Sequence, residues 1–140
     1  MYFCWLALYL KSFFTGTVGF MGTVGIGVIG CGFISQAAHL PSLRRVEGAK
    51  LIALADVRFK LAKKLAETYR AKPYGSHMDL LEDPNVEAVL VATDKFSHAK
   101  IVLDACKAGK HVLVEKPMVC KTTHALDLIR LRDNNLFTLS

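Results

Sequence analysis

The 140-residue sequence has no apolar stretch of membrane-spanning length, no C-x-x-C pair and no long block of like charge. Each absence excludes something. The apolar run from Tyr2 to Leu10 is ended by Lys11, far short of the roughly 20 residues that a helix needs to cross a bilayer. That segment also lacks a basic leader and a small-residue cleavage site, so it does not read as a signal peptide. The four cysteines, at 4, 31, 106 and 120, show neither the dense spacing of a disulfide scaffold nor the pairing of a zinc ribbon. A reducing compartment is the simpler expectation. His39, His77, His111 and His124 share no metal-ligand spacing, and no metal is assigned. The net charge is +6, yet only Arg44-Arg45 and Lys63-Lys64 place two cations side by side. Scattered cations describe solvated helix faces rather than a nucleic-acid-binding surface.

What is present is an apolar fraction of 52% with 21% charged residues, the balance of a folded soluble chain. The length suits a single core. Residues 1 to 20, MYFCWLALYLKSFFTGTVGF, differ in composition from everything after them. They read as an extension outside the fold, with a membrane or interface anchor as the alternative. The segment from Met21 to residue 140 reads as one domain, and its opening GTVGIGVIGCG suits a cytoplasmic nucleotide-binding protein.

Past Met21, short apolar runs alternate with helix-period segments. VGIGVIG (24 to 30), KLIALAD (50 to 56), EAVLVAT (87 to 93) and KHVLVE (110 to 115) are nearly continuous Val, Ile, Leu and Ala. Strands covered on both faces of a parallel sheet look like this, whereas a half-exposed strand alternates. KPYG (72 to 75) reads as a short edge strand. Ala62, Leu65, Ala66 and Tyr69 form one helical stripe, and Ala99, Val102, Leu103 and Cys106 another,. Ser97 is placed to cap the second helix and Gly109 to end it. Pro41 should stop or kink a helix starting near Phe33. A further helix near Thr122 or Thr123 should carry Leu126 and Ile129 inward. The fold class is therefore α/β, a doubly wound and mostly parallel sheet.

In such sheets the carboxyl ends of the strands share one rim, and ligands bind there. The residues at and past those ends are Gly30-Cys31-Gly32, Asp56, Thr93-Asp94 and Glu115-Lys116-Pro117. Every apolar run ends in glycine or a polar group. GCGFIS at 30 to 35 gives G-x-G-x-x-S: Gly30 for the tight turn, Gly32 for close approach of a pyrophosphate, and the helix start at Phe33 and Ile34 for free amides. Ser35 fills the third position with a small side chain. Asp56, 21 residues beyond Ser35, matches an acceptor for ribose hydroxyls or, alternatively, a helix cap. It favours NAD over NADP, while Arg58 and Lys60 supply cations suited to a 2′-phosphate. Thr93 either contacts the cofactor ribose or finishes its strand, and Asp94 either joins the site or only makes a turn. His98 either joins the site or packs beneath the loop. Lys116 is the candidate catalytic residue, suited to stabilising an alkoxide during hydride transfer. Glu115 either holds that lysine or contacts the nicotinamide ribose.

With these motifs the sequence resembles the amino-terminal Rossmann domain of the Gfo/Idh/MocA oxidoreductases, the glucose-fructose oxidoreductase and inositol dehydrogenase family. The matching stretches are VGIGVIGCGFIS, HLPSL, ALADV, YGSHMDLLEDPNVEAVLVAT and HAKIVLDACKAGKHVLVEKPM, of which AGKHVLVEKP is the most specific. The resemblance implies an NAD(P)-dependent enzyme acting on sugars, polyols or related hydroxyl compounds, with the lysine of E-K-P catalytic at Lys116. Ala92-Thr93-Asp94 departs from the family's usual A-T-P. Family members also continue into a second α/β domain carrying most of the substrate site, whereas this chain ends at NNLFTLS. The expectation is a cofactor domain without its substrate domain, inactive alone and prone to self-association through bare apolar surface. A non-catalytic NAD(P)-binding module acting through a partner is the alternative.

Overall fold

The computed structural model describes residues 22 to 117, with 120, 123, 125 to 127, 129 and 130 beyond them. The extension at residues 1 to 20 lies outside the described residues. Five strands form one sheet: β1 (Val24–Ile29), β2 (Ala49–Ala55), β3 (Lys72–Tyr74), β4 (Ala88–Val91) and β5 (His111–Val114). Their order is β3-β2-β1-β4-β5, and every neighbouring pair is parallel. The chain thus winds outward from β1 to β3, then returns to the other side of β1. That reversal between β1 and β4 is where an open α/β sheet forms its crevice.

Helices α1 (Ser35–His39) and α2 (Leu40–Leu43), then α3 (Phe59–Tyr69), α4 (His77–Leu81) and α5 (His98–Lys107) fill the connections. The strands are apolar because both faces are covered. Val24, Ile26, Val28 and Leu54 pack with Leu40 and Leu43 of α2 and Ala62 and Ala66 of α3. On the other face Ile29, Val91, Val112 and Val114 pack with Leu80 of α4 and with Val102 and Cys106 of α5.

Pro41 does not stop its helix. α1 is π-helical, with Leu40 N–H bonding to Ser35 O, and Pro41 enters at the start of α2. A widened turn just before a residue that lacks an N–H removes the clash its ring makes in a regular α-helix. Gly109, at φ +71°, ends α5 as expected, with Lys110 N–H bonded to Ala105 O and Gly109 N–H to Cys106 O, a Schellman closure. Ser97 does not cap α5 through its side chain. Its hydroxyl is turned back to Thr93 and Asp94, while the Asp94 carboxylate makes an Asx turn by accepting from the amides of Phe96 and Ser97,. Thr123, Leu126 and Ile129 are helical, but Leu126 and Ile129 are exposed rather than inward. They follow β5, the outermost described strand, so no further described strand lies beyond it to receive them.

Candidate functional site

The register sets the rim. Ile29 pairs with Ala55 and Val91, Ala55 with Tyr74, and Val91 with Val114, so all five strands end level. Backbone bonding runs one residue further: Gly30 N–H to Ala55 O, Asp56 N–H to Tyr74 O, Ala92 N–H to Ile29 O and Glu115 N–H to Val91 O. Asp56, Gly30, Ala92 and Glu115 therefore stand in a row, and three strand spacings of about 4.8 Å separate its ends by roughly 14 Å. A ligand touching both ends must be elongated and lie along the rim.

A cleft of about 670 Å³ opens along this row. Gly30, Gly32, Phe33 and Ile34 form its floor and one lip, Asp56 and Arg58 one end, and Thr93 and Asp94 the side across from the glycine turn. Gly30 has φ +99°, and a Cβ there would stand 2.5 Å from the Ala92 carbonyl oxygen; the fold itself requires this glycine. Gly32 is different. A Cβ on Gly32 would meet nothing within 4 Å, so its missing side chain serves space outside the protein. The helix begins at this point, Gln36 N–H bonding to Gly32 O, which leaves the amides of Phe33 and Ile34 without intrahelical acceptors.

Asp56 is nearly buried and holds two structures at once. One oxygen accepts the Cys31 amide at 2.8 Å, and the other accepts the Arg58 amide at 2.8 Å. The Arg58 guanidinium adds bonds of 3.1 and 3.3 Å. Burial raises the carboxyl's pKa, but the bonds from Arg58 and the Cys31 amide outweigh it, so the group lies below its ordinary value and carries charge,. Asp56 lines the cleft, and its carboxylate also steadies the start of α3 through the Arg58 amide. Burial, aided by Asp56, pushes the Cys31 thiol up to about 12, which leaves no nucleophile there.

Four of the expected residues lie apart from the cleft. Ser35 is fully buried and donates its hydroxyl to Gly30 O; it braces the turn from beneath, because at the third motif position the side chain faces the sheet. His98 is 1% exposed, with Nδ1 2.9 Å from Pro117 O and Nε2 3.0 Å from Thr93 O. Of its two readings, the structure has the histidine packed beneath the loop. Glu115 and Lys116 follow β5 on the same rim but do not line the cleft. Glu115 Oε1 is 2.7 Å from His39 Nε2, off the line a hydrogen bond needs, and burial holds the imidazole's pKa below its ordinary value despite the nearby carboxylate,. The other Glu115 oxygen accepts the Lys116 backbone amide at 3.3 Å. The Lys116 side chain is exposed, and Lys60 lies outside the cleft.

Other cleft residues escaped the sequence reading. Gly75, Ser76 and His77 form the wall past β3, and Lys100 faces the cleft from α5. Asp104 anchors that wall, accepting from Lys100 Nζ at 2.8 Å and lying 3.0 Å from His77 Nε2. Counting KPYG as a full member of the sheet would have placed its carboxyl end on the rim with the rest. Among the described residues no cluster of metal-ligating side chains occurs and no helix is long and apolar enough to cross a membrane.

Known proteins share this arrangement. The chain is 40% identical to myo-inositol 2-dehydrogenase from Thermotoga maritima over 94 residues, covering 66% of this chain and 28% of that protein. It is 43% identical over 99 residues to inositol 2-dehydrogenase/D-chiro-inositol 3-dehydrogenase from Shouchella clausii, covering 69% and 28%. Among solved structures it superposes on a 3-ketoreductase from Actinomadura kijaniata in complex with TDP-benzene and NADP, with TM-score 0.80 and 32% identity over 84% of this chain and 37% of that one. It also superposes on GenD2 from gentamicin A biosynthesis in complex with NAD, with TM-score 0.81 and 28% identity over 88% and 35%. The chain spans about a third or less of the length of the dehydrogenases it matches. Residues 24–138 match the Gfo/Idh/MocA family model, described as an oxidoreductase family with an NAD-binding Rossmann fold, and the chain belongs to that family.

Proposed function

We propose that the cleft binds a nicotinamide dinucleotide along the rim, with NAD preferred to NADP, and that the chain serves as the cofactor domain of an oxidoreductase acting on a sugar-like or polyol-like hydroxyl compound. The observation that carries this reading is Gly32, a glycine with open space where its side chain would be, at a helix start and in one cleft with Asp56. The pyrophosphate crosses Gly32 toward the free amides of Phe33 and Ile34, where backbone dipoles favour an anion. The Asp56 carboxylate accepts from the adenosine ribose hydroxyls, and its retained charge disfavours a 2′-phosphate. Arg58 must swing from Asp56 to admit the ribose; its side chain is 64% exposed and so has open solvent into which to move.

Bound nicotinamide supplies the hydride acceptor or donor. At the other end of the rim Thr93 and Asp94 flank the nicotinamide side, and Lys116 bonds the substrate hydroxyl and stabilises the negative charge that develops on that oxygen. Lys116 suits this task because its side chain has no protein partner among the described residues.

Calorimetric titration of the 140-residue chain with NADH and with NADPH tests the reading. Saturable heat at micromolar to submillimolar NADH, with weaker NADPH binding, is expected. No binding at millimolar concentrations of either cofactor overturns it.

A further inference from the structure

Lys116 is exposed, yet the residues on either side of it each lie against a buried histidine. Before it, the Glu115 carboxylate lies 2.7 Å from His39 Nε2. After it, Pro117 O lies 2.9 Å from His98 Nδ1. The two rings arrive from opposite faces of the sheet: α1 and α2 pack on the face of Val28 and Leu54, and α5 on the face of Val91 and Val114. Each ring also ties the tip to another part of the rim. His39 sits on the helix that follows the glycine turn, and the second nitrogen of His98 lies 3.0 Å from Thr93 O, so that the single N–H of a neutral ring donates to Pro117 O in one tautomer and to Thr93 O in the other. His39 and His98 are 8% and 1% exposed, so water competes little for either contact.

We infer that His39 and His98 are positioning residues, a pair of imidazoles that grip Glu115 and Pro117 and thereby fix where the free Lys116 side chain stands relative to the cleft. The inference rests on the cofactor reading above, which supplies the ligand that Lys116 must meet. Its physical basis is the need to place a flexible side chain at a ligand's reacting end. A four-carbon stem leaves the ammonium mobile, so position has to be set by the backbone beneath it. One contact alone permits rotation about the tip; contacts on both sides, from both faces, do not. Glu115 is on this view neither a partner of the lysine nor a ribose contact. Its carboxylate couples the glycine-turn helix to the lysine, so that pyrophosphate site and reacting end move together.

The test measures acylation of Lys116 by an amine-reactive ester, read by peptide mass spectrometry with and without saturating NADH, on the 140-residue chain. Wild-type protein should show at least fivefold protection by NADH. His39→Ala and His98→Ala should still bind NADH within about threefold by calorimetry but lose most of that protection. His39→Gln and His98→Asn, which restore a donor near Nε2 and Nδ1, should regain it, as loss of packing alone would not allow. Glu115→Gln reads the same contact from its half-exposed side, so the test stands even where His98→Ala does not fold. Alanine variants that bind NADH and keep full protection overturn the inference. Absence of NADH binding by the wild-type chain instead defeats the cofactor reading, and the inference falls with it.

Discussion

Two glycines of one turn should respond in opposite ways to the same added methyl group. In Gly30→Ala the backbone keeps a φ near +99°, which costs an L residue roughly 1–2 kcal/mol. The new Cβ also meets Ala92 O at 2.5 Å and Thr93 N at 2.9 Å. Both are backbone atoms in a sheet that cannot swing aside, and such overlap adds about 1–3 kcal/mol. The sum, about 2–5 kcal/mol, lowers Tm by roughly 8–20 °C at about 4 °C per kcal/mol. Gly32→Ala meets no atom within 4 Å, so its stability should stay within about 0.5 kcal/mol of wild type. Its methyl enters the space assigned to the pyrophosphate, and the NADH dissociation constant should rise at least about tenfold, or about 1.4 kcal/mol. Thermal melts with parallel NADH calorimetry read both effects. A Gly32→Ala chain that binds NADH like wild type, or melts as low as Gly30→Ala, refutes the reasoning.

Other positions give equally definite expectations. Asp56→Asn should weaken NADH about tenfold while narrowing or reversing the preference over NADPH, measured by competitive titration, since the ribose acceptor loses its charge. Asp83 is buried under bonds from the Asn85 amide, Tyr74 OH and Lys72; the Asn85 amide chiefly, opposed by burial, holds its pKa down at about 2 against 3.8. A depressed carboxyl stabilises above its unfolded pKa and loses that stabilisation as pH falls through its folded one, so acid unfolding should steepen between about pH 4 and 2. Asp83→Asn should flatten that limb and cost on the order of 2 kcal/mol at neutral pH. Lys116→Met should leave stability within about 0.5 kcal/mol of wild type, a Tm shift of roughly 2 °C or less by differential scanning, because its side chain has no partner among the described residues.

The sheet was legible because burial on both faces makes each strand a continuous apolar run. β1, β4 and β5 lie within the runs read from the sequence, β2 begins one residue before its run, and Asp56 and Glu115 emerge one residue past their strands. The glycine turn, Asp56 and the Thr93 turn were legible for the same reason: in a parallel sheet, strand ends fix which residues share a rim. Side-chain direction was less accessible. Ser35 and His98 belong to the right segments but point beneath them, a fact of helix phase and packing that a rim rule cannot supply. Ser97 does not cap because its hydroxyl is turned back to Thr93 and Asp94, away from the helix amides it was placed to accept. The His39–Glu115 contact joins positions 76 residues apart, and no local pattern announces it. His77 was missed because it lies in the segment after the edge strand β3, which was not set on the rim, and Lys100 because it enters the cleft from inside α5 rather than from a strand end.

Whether the rim is a dinucleotide site is decided most directly by following NADH binding amide by amide in isotope-labelled chain. Shifts should concentrate at Gly30 to Ile34, Asp56 to Arg58 and Thr93 to Asp94, and leave Gly25, Asn85 and Glu87 near the opposite edge of the sheet undisturbed. Binding that instead perturbs Gly25, Asn85 and Glu87, or saturating NADH that shifts none of the glycine-turn amides, contradicts the assignment.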